Sequence, residues 1–295
     1  MLLIWVVAAA FSTRCHADDH QEDGIRVISY NIWNGFEWGK DGARRAAFID
    51  WMQSQDADVA ALQELCGYDL EKLLEDARQW GHPHAVILKT EGYPVGLTSR
   101  EPIIVKERLL EGLWHGMLHA ETLGIDFFVV HLSPADAGFR LREARIVADR
   151  VRSAEAPDFL ILGDFNAHSP ADSDLDRSRT ALLQRYRKGD EDNETHDNLL
   201  LGEFDYSVVS TFLALPAIDV SLRHTNPVDR FSYPAPALVG QYGQTEESVV
   251  DYRERIDYIL ASPGLATRCT NVAIVNSGVT RSLSDHFPVV AEFRR

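Results

Sequence analysis

The sequence predicts an α/β fold in one domain, and three observations predict it. Apolar, β-branched runs alternate with segments of helical periodicity, the order strand, helix, strand occurs twice, and no low-complexity linker divides the 295 residues. Length alone allows one large domain or two. A hydrophobic content of 45% against 25% charged residues excludes a disordered chain and is enough for a sizeable core without disulfide staples.

The first segment, Met1 to Ala17, is apolar from Leu2 to Phe11 and then polar, with small residues around Cys15 and Ala17. It reads as a signal peptide cleaved after Ala17, leaving residues 18–295 as the mature domain and placing the protein in the periplasm or outside the cell. The n-region has no Lys or Arg, so an uncleaved apolar anchor is the alternative. Arg14 before Cys15 is a poor fit to lipidation. The apolar run is too short for a membrane-spanning helix, and no span is expected after cleavage.

Ile25 to Trp33 reads as a buried strand, Gly42 to Met52 as a helix capped by Asp41, and Asp58 to Glu64 as a second buried strand. The plan repeats with a strand from Ile125 to Leu132, a helix from Leu141 to Val151 and a strand from Asp158 to Asp164. Both closing strands start on Asp and end on a carboxylate, Glu64 or Asp164. In α/β folds ligands gather at the carboxyl ends of strands, so both would point into such a crevice. From Ala171 to Gln244 the chain turns polar and reads as surface loops and short helices. Strands at Arg255–Leu260 and Phe287–Phe293 close the domain.

The net charge of −16 becomes one unit more negative on loss of Arg14. Such a chain repels polyanions, which argues against a long basic groove and a stable nucleic-acid complex. A divalent metal in the site can invert that field locally. Cys66 and Cys269 could pair after export or remain buried thiols.

Polar residues that follow apolar strands are the candidates for chemistry. Asp164, Asn166 and His168 alternate with apolar residues, so an extended segment would put them on one face. Asp and Asn there could equally satisfy loop backbone groups. Asp257 lies between Ile256 and Tyr258, where an unpaired carboxylate is costly; His286 is the natural partner and Arg255 the alternative. His131 and Glu64 each end an apolar run, and Asn31 could simply cap a turn. One crevice could collect them all.

The ordered set Ser29-Tyr30-Asn31-Ile32-Trp33, Leu62-Gln63-Glu64, Ser99-Arg100, Val130-His131-Leu132, Leu162 to His168, Arg255 to Ile259 and Ser284 to Val289 resembles the endonuclease/exonuclease/phosphatase superfamily. The resemblance implies a deoxyribonuclease I-like, four-layered α/β sandwich in which two packed mixed β-sheets are flanked by helices. It implies a Mg²⁺- or Mn²⁺-dependent phosphoric ester hydrolase, with zinc as the competing metal. By resemblance Glu64 is the principal metal ligand, with Asn31 beside it and Asp285 helping. Asp164 orients or deprotonates the attacking water, Asn166 binds a phosphoryl oxygen, His286, charged by Asp257, contacts the phosphate, and His131 donates to the phosphate or leaving group. His168 would touch substrate or a second metal, or shape its loop.

Abasic-site endonucleases of this superfamily usually carry Tyr where His131 stands, whereas the deoxyribonuclease I, sphingomyelinase and several phosphatase branches carry His. The expected activity is therefore a phosphodiesterase or nuclease-type hydrolase acting as a monomer. The alternatives are a phosphomonoesterase, a sphingomyelinase-like lipid phosphodiesterase or a non-catalytic binding module on the same fold.

Overall fold

A computed structural model describes residues 24–295; the expected signal peptide lies outside the described residues. The first strand, β1 (Gly24–Asn31), is followed by α1 (Gly42–Gln55) and β2 (Val59–Gln63). Strands β1 and β2 are parallel, as a crossover helix requires, and the Asp41 side chain caps α1 by accepting the Arg44 N–H. After α2 (Leu70–Gln79) come β3 (His84–Ile87), β4 (Gly96–Ser99), β5 (Ile104–Leu109) and β6 (Met117–Thr122). The second parallel pair is β7 (Ile125–His131) and β8 (Phe159–Asp164), joined by α3 (Ala137–Ser153). Next come α4 (Thr180–Glu191), α5 (Ser207–Leu213), β9 (Ile218–Asp219), β10 (Asp257–Ala261), β11 (Cys269–Ile274) and β12 (Val289–Arg294).

Two six-stranded mixed sheets result, ordered β11-β12-β1-β2-β4-β3 and β5-β6-β7-β8-β10-β9. Their inner faces meet in one core that includes Val27, Val59, Leu97, Phe127, Val129, Leu160, Leu162, Ile259 and Phe293. The outer face of the first sheet packs Tyr30, Ala60 and Leu62 under α1 and α2, and that of the second packs Phe128, Val130 and Ile161 under α3 and α5. Apolar residues on both faces of the central strands are what a sheet covered on both sides demands. This is the four-layered sandwich.

The polar segment from 171 to 244 departs from the expected surface loops. Asp172, Asp176 and Asp219 within it are buried. Arg255 reaches both Asp172 and Asp219 at 2.6 Å, and Arg230 reaches Asp172 at 2.9 Å. Polar composition marked this segment as surface, but its acids are inside because buried cations pair with them, Arg255 and His168 from outside the segment and Arg230 and Arg179 from within it. Cys66 and Cys269 are free thiols.

Candidate active site

Register places the functional side chains at one edge of the sandwich. Asn31 ends β1 and Glu64 directly follows β2, its parallel neighbour. In the other sheet His131 is level with Asp164, and Asp164 is level with Asp257 across an antiparallel pair. Ser29 of β1 pairs with Val289 of β12, so Asp285 and His286 arrive beside the end of β1. The Ser284 hydroxyl fixes that arrival by donating to the Asn31 carbonyl at 2.6 Å, and it accepts the His286 N–H at 3.2 Å. Glu64, Asp164, Asn166, His131, Asp285 and His286 line one pocket of about 380 Å³, and buried Asn31 touches it only through its hydrogen bonds to Glu64 and Asp164.

The close approach of β7 and β8 depends on Gly163, at φ 138°, where a Cβ would fall 1.9 Å from the Val130 carbonyl oxygen. A second glycine shapes the opposite wall. From Trp33 to Gly39 every residue has a positive φ, between 52° and 82°, which is a left-handed helical turn. Non-glycine residues there cost roughly 1–2 kcal/mol each, so the surroundings must enforce the conformation. Gly35 is pressed against the Cys66 carbonyl, 2.0 Å from where its Cβ would be. Buried Arg44 donates to the carbonyls of Ile32 at 2.9 Å, Trp33 at 2.9 Å and Leu283 at 3.0 Å. One guanidinium thus ties the left-handed turn to the loop carrying Asp285. The turn delivers the Asn34 N–H to Glu64 Oε2 at 2.7 Å, and Glu64 itself sits at φ 60°. Strain gathered at a functional edge is a device for fixing side-chain direction.

Asp164 is the centre of the cluster and is 1% exposed. It accepts the Asn31 amide at 3.1 Å and the Asn166 N–H at 2.9 Å, and it has His131 Nε2 at 3.4 Å and His286 Nε2 at 3.8 Å. Burial pushes its carboxyl up, against the lowering pull of His286. Burial alone would lower the His286 imidazole, but Asp257, Asp164 and Asp285 together hold it well above its ordinary value. Its Nδ1 meets Asp257 at 2.8 Å. That is the pairing expected for Asp257; the alternative partner, Arg255, is committed to Asp172 and Asp219. Burial and then the neighbouring His115 drive His131 well below its ordinary value, so it is neutral.

Three expectations look different in three dimensions. The Asn31 Nδ2 faces Glu64 at 3.2 Å as well as Asp164, while its Oδ1 accepts the Trp33 N–H at 3.1 Å. Metal ligation through Oδ1 would require the amide to turn. The expected common face of Asp164, Asn166 and His168 does not form, because β8 ends at Asp164 and Asn166 adopts φ 47°. His168 is consequently carried away from the pocket. Its Nδ1 meets Asp176 at 3.0 Å and its Nε2 meets Glu254 at 2.9 Å, so neither nitrogen is left for substrate or a second metal. Its role is to hold the segment after β8, which is the loop-shaping alternative.

The residue that sequence reading missed is His115, in the turn before β6. Its ring stacks on His131 with centroids 4.2 Å apart, and burial and then Lys89 lower it to about 4. No apolar run precedes it, so the signal that found the other candidates was absent. Tyr93, Trp114, Tyr233 and Tyr242 also line the pocket.

Asp164, Asp257 and His286 place ligand atoms within 4.8 Å of one another, close enough to share a cation. A cation there would have to replace the Asp257–His286 hydrogen bond and face an imidazole that three carboxylates keep protonated. Glu64 and Asp285 line the same pocket, and burial raises the Asp285 carboxyl to about 7, with His286 lowering it and Glu64 raising it further.

The sequence profile of the Endonuclease/Exonuclease/phosphatase family matches residues 28–286, a span that contains every residue of this cluster. The chain belongs to that family. As a member of the Endonuclease/Exonuclease/phosphatase family it is a phosphoester hydrolase of the nuclease and phosphatase class. No curated protein matches the sequence. Among solved structures, an AP endonuclease from Archaeoglobus fulgidus superposes with TM-score 0.66 at 19% identity, covering 92% of this chain and 100% of that one. The 3′ phosphatase NExo from Neisseria, bound to a product DNA hairpin, gives 0.63 at 20% identity over 91% and 99%. An endonuclease/exonuclease/phosphatase from Beutenbergia cavernae gives 0.57 at 18% identity over 92% and 71%. At such identities the likeness to these family members is one of fold.

Proposed function

We propose that the protein is a Mg²⁺- or Mn²⁺-dependent phosphodiesterase that acts outside the cytoplasm. The observation that carries this reading is an excess of carboxylates over fixed cations. Glu64, Asp164 and Asp285 line the catalytic pocket, and no Lys or Arg lines it among the described residues. Oxygen donors of this kind suit a hard divalent cation. Glu64 and Asp285 would hold it, and it would supply positive charge to the phosphoryl and leaving oxygens.

The remaining steps belong to side chains on the page. Asp164, pushed up to about 8 by burial, can accept the proton of an attacking water when it is ionised. Charged His286, oriented by Asp257, stabilises negative charge developing on the phosphoryl oxygens. Asn166 spends one amide hydrogen on the Leu132 carbonyl at 3.0 Å and keeps the other for a phosphoryl oxygen. Neutral His131, whose Nε2 stands 3.4 Å from Asp164, can donate through that nitrogen to the leaving oxygen. A pocket whose fixed cation is one imidazolium suits a monoanionic diester better than a dianionic monoester. Action outside the cytoplasm rests on the apolar segment before residue 18, and N-terminal sequencing of the exported product tests it.

Hydrolysis of bis-p-nitrophenyl phosphate with Mg²⁺ or Mn²⁺ tests the activity. The expected result is turnover abolished by a chelator and lost in Glu64→Ala and Asp164→Ala. Turnover that ignores the chelator, or that survives in both variants, contradicts the reading. A protein that binds phosphate esters without turnover is the binding module instead.

A further inference from the structure

The two imidazoles that face Asp164 are aimed by different means. His286 is aimed by a hydrogen bond, its Nδ1 meeting Asp257 at 2.8 Å. His131 has no such tether, because its buried Nδ1 has no hydrogen-bond partner among the described residues. A histidine's working nitrogen is directed by the bond that the other nitrogen makes, so another contact has to direct His131. That contact is His115, whose ring covers the face of His131 with centroids 4.2 Å apart and an interplanar angle of 26°.

The two histidines come from separate segments, His131 from the end of β7 and His115 from the turn before β6. One side chain of α3 holds both segments. Glu143 is fully buried, and each of its carboxylate oxygens accepts one backbone N–H. Oε1 takes that of Trp114, the neighbour of His115, and Oε2 takes that of Ser133, two residues after His131, both at 2.7 Å. Arg140, one turn earlier on α3, donates to the Ser133 carbonyl at 2.8 Å, so the same helix holds Ser133 at both its N–H and its carbonyl. Burial raises the Glu143 carboxyl to about 7, and the Ser133 and Trp114 N–H groups, then Arg140 and Arg142, pull it back. A buried carboxylate is a costly tie between two loops and a helix. It offers two strong acceptors at a fixed separation, whereas a side-chain amide would set one oxygen and one NH₂ against the same two N–H groups.

We propose that Glu143 and His115 are positioning residues for His131: the carboxylate sets the spacing of the two segments, and the stacked ring fixes the direction in which His131 Nε2 presents its proton to the leaving oxygen. The inference rests on the reading of the pocket as a phosphodiester site, and it deepens that reading by naming what places the proton donor. As the P–O bond breaks, the leaving oxygen takes the Nε2 proton. The proton that Asp164 accepts from the attacking water restores it across 3.4 Å.

The test compares turnover, with Mg²⁺ present, of bis-p-nitrophenyl phosphate, whose nitrophenolate leaves without a proton, and of diphenyl phosphate, whose phenolate leaves poorly. The ratio of the two kcat values on one sample does not depend on how much of it is folded, so a merely structural loss cancels. Glu143→Gln and His115→Ala should each lose at least about tenfold more on diphenyl phosphate than on the activated ester, part of the about 10²–10⁴-fold that a positioned proton donor supplies. His115→Phe, which keeps a flat ring over His131, should recover most of that extra loss. Equal losses on the two esters in Glu143→Gln or in His115→Ala, or a His115→Phe no better than His115→Ala, overturn the inference. So does a wild type that turns over the activated ester alone, because no proton donor then serves the leaving oxygen. A wild type that turns over neither ester removes the phosphodiesterase reading as well.

Discussion

Two buried clusters built from the same residue types lie on either side of Asn166. In the catalytic pocket Asp164, Asp257, His131 and His286 are nearly solvent-free, and so are His168, Asp176 and Glu254 beneath the segment that follows β8. The second cluster is closed. Both nitrogens of His168 meet carboxylates, Asp176 also takes Arg179 at 2.7 Å, and Glu254 also takes the Tyr186 hydroxyl. The first cluster is open: His131 Nδ1 has no partner, and Glu64 and Asp285 repel each other across a cavity. Burial of ionisable groups is common to both; incomplete compensation is what marks the reactive one.

Breaking each cluster should therefore have opposite consequences. Asp164→Ala should lower kcat by about 10²–10⁴-fold, the range for loss of a general base, while thermal unfolding shows a melting point unchanged or raised because a crowded buried carboxylate is gone. A melting point that collapses along with kcat would make Asp164 a structural group. His168→Ala should do the reverse, destabilising the protein by about 3–5 kcal/mol in denaturant unfolding by stranding two buried carboxylates. The folded fraction should keep its kcat, and a large kcat loss per folded molecule would return His168 to the site. Asp257→Asn should cost about 10²–10³-fold in kcat by removing the carboxylate that charges and aims His286, with its largest deficit on the alkaline side. A flat pH profile identical to wild type would remove the pair from the mechanism.

The smallest effect sharpens the comparison through pH. Although burial lowers it, Asp176 and Glu254 raise His168 to about 9 against an ordinary 6.5. The charged form is the one favoured in the fold. Its stabilisation is complete below about pH 6.5, declines as pH rises toward 9 and is gone above it. The stability difference between wild type and His168→Ala should shrink over that window. A difference that grows with pH would mean that the neutral imidazole is the stabilising form.

Much of this was legible in the sequence because buried parallel strands read as continuous apolar runs, and a polar residue ending such a run stands out. The strands expected at Ile125 to Leu132 and Asp158 to Asp164 stand out that way, as does the Asp257 pairing, from the cost of a carboxylate among apolar neighbours. The short strands β3 to β6 do not. β5 is largely exposed and gives no apolar run to read. The turn at Trp33 to Gly39 was hidden because its two glycines give no hint that its five non-glycine residues take positive φ. That conformation comes from Cys66, Arg44 and Leu283, which are distant in sequence. His168 was placed on the wrong face because alternation holds only while the chain stays extended, and Asn166 ends that. His115 owes its place to stacking on His131, a contact with no local signature.

The central claim, that the open cluster is a divalent-cation site and the closed one is not, is tested most directly by direct ion binding. Chelator-treated protein would be equilibrated with Mn²⁺ and the bound ion counted by electron paramagnetic resonance, independently of turnover. The account predicts binding by the wild type and by His168→Ala, and loss of binding in Glu64→Ala. Equal binding in Glu64→Ala, or none in the wild type, would contradict it.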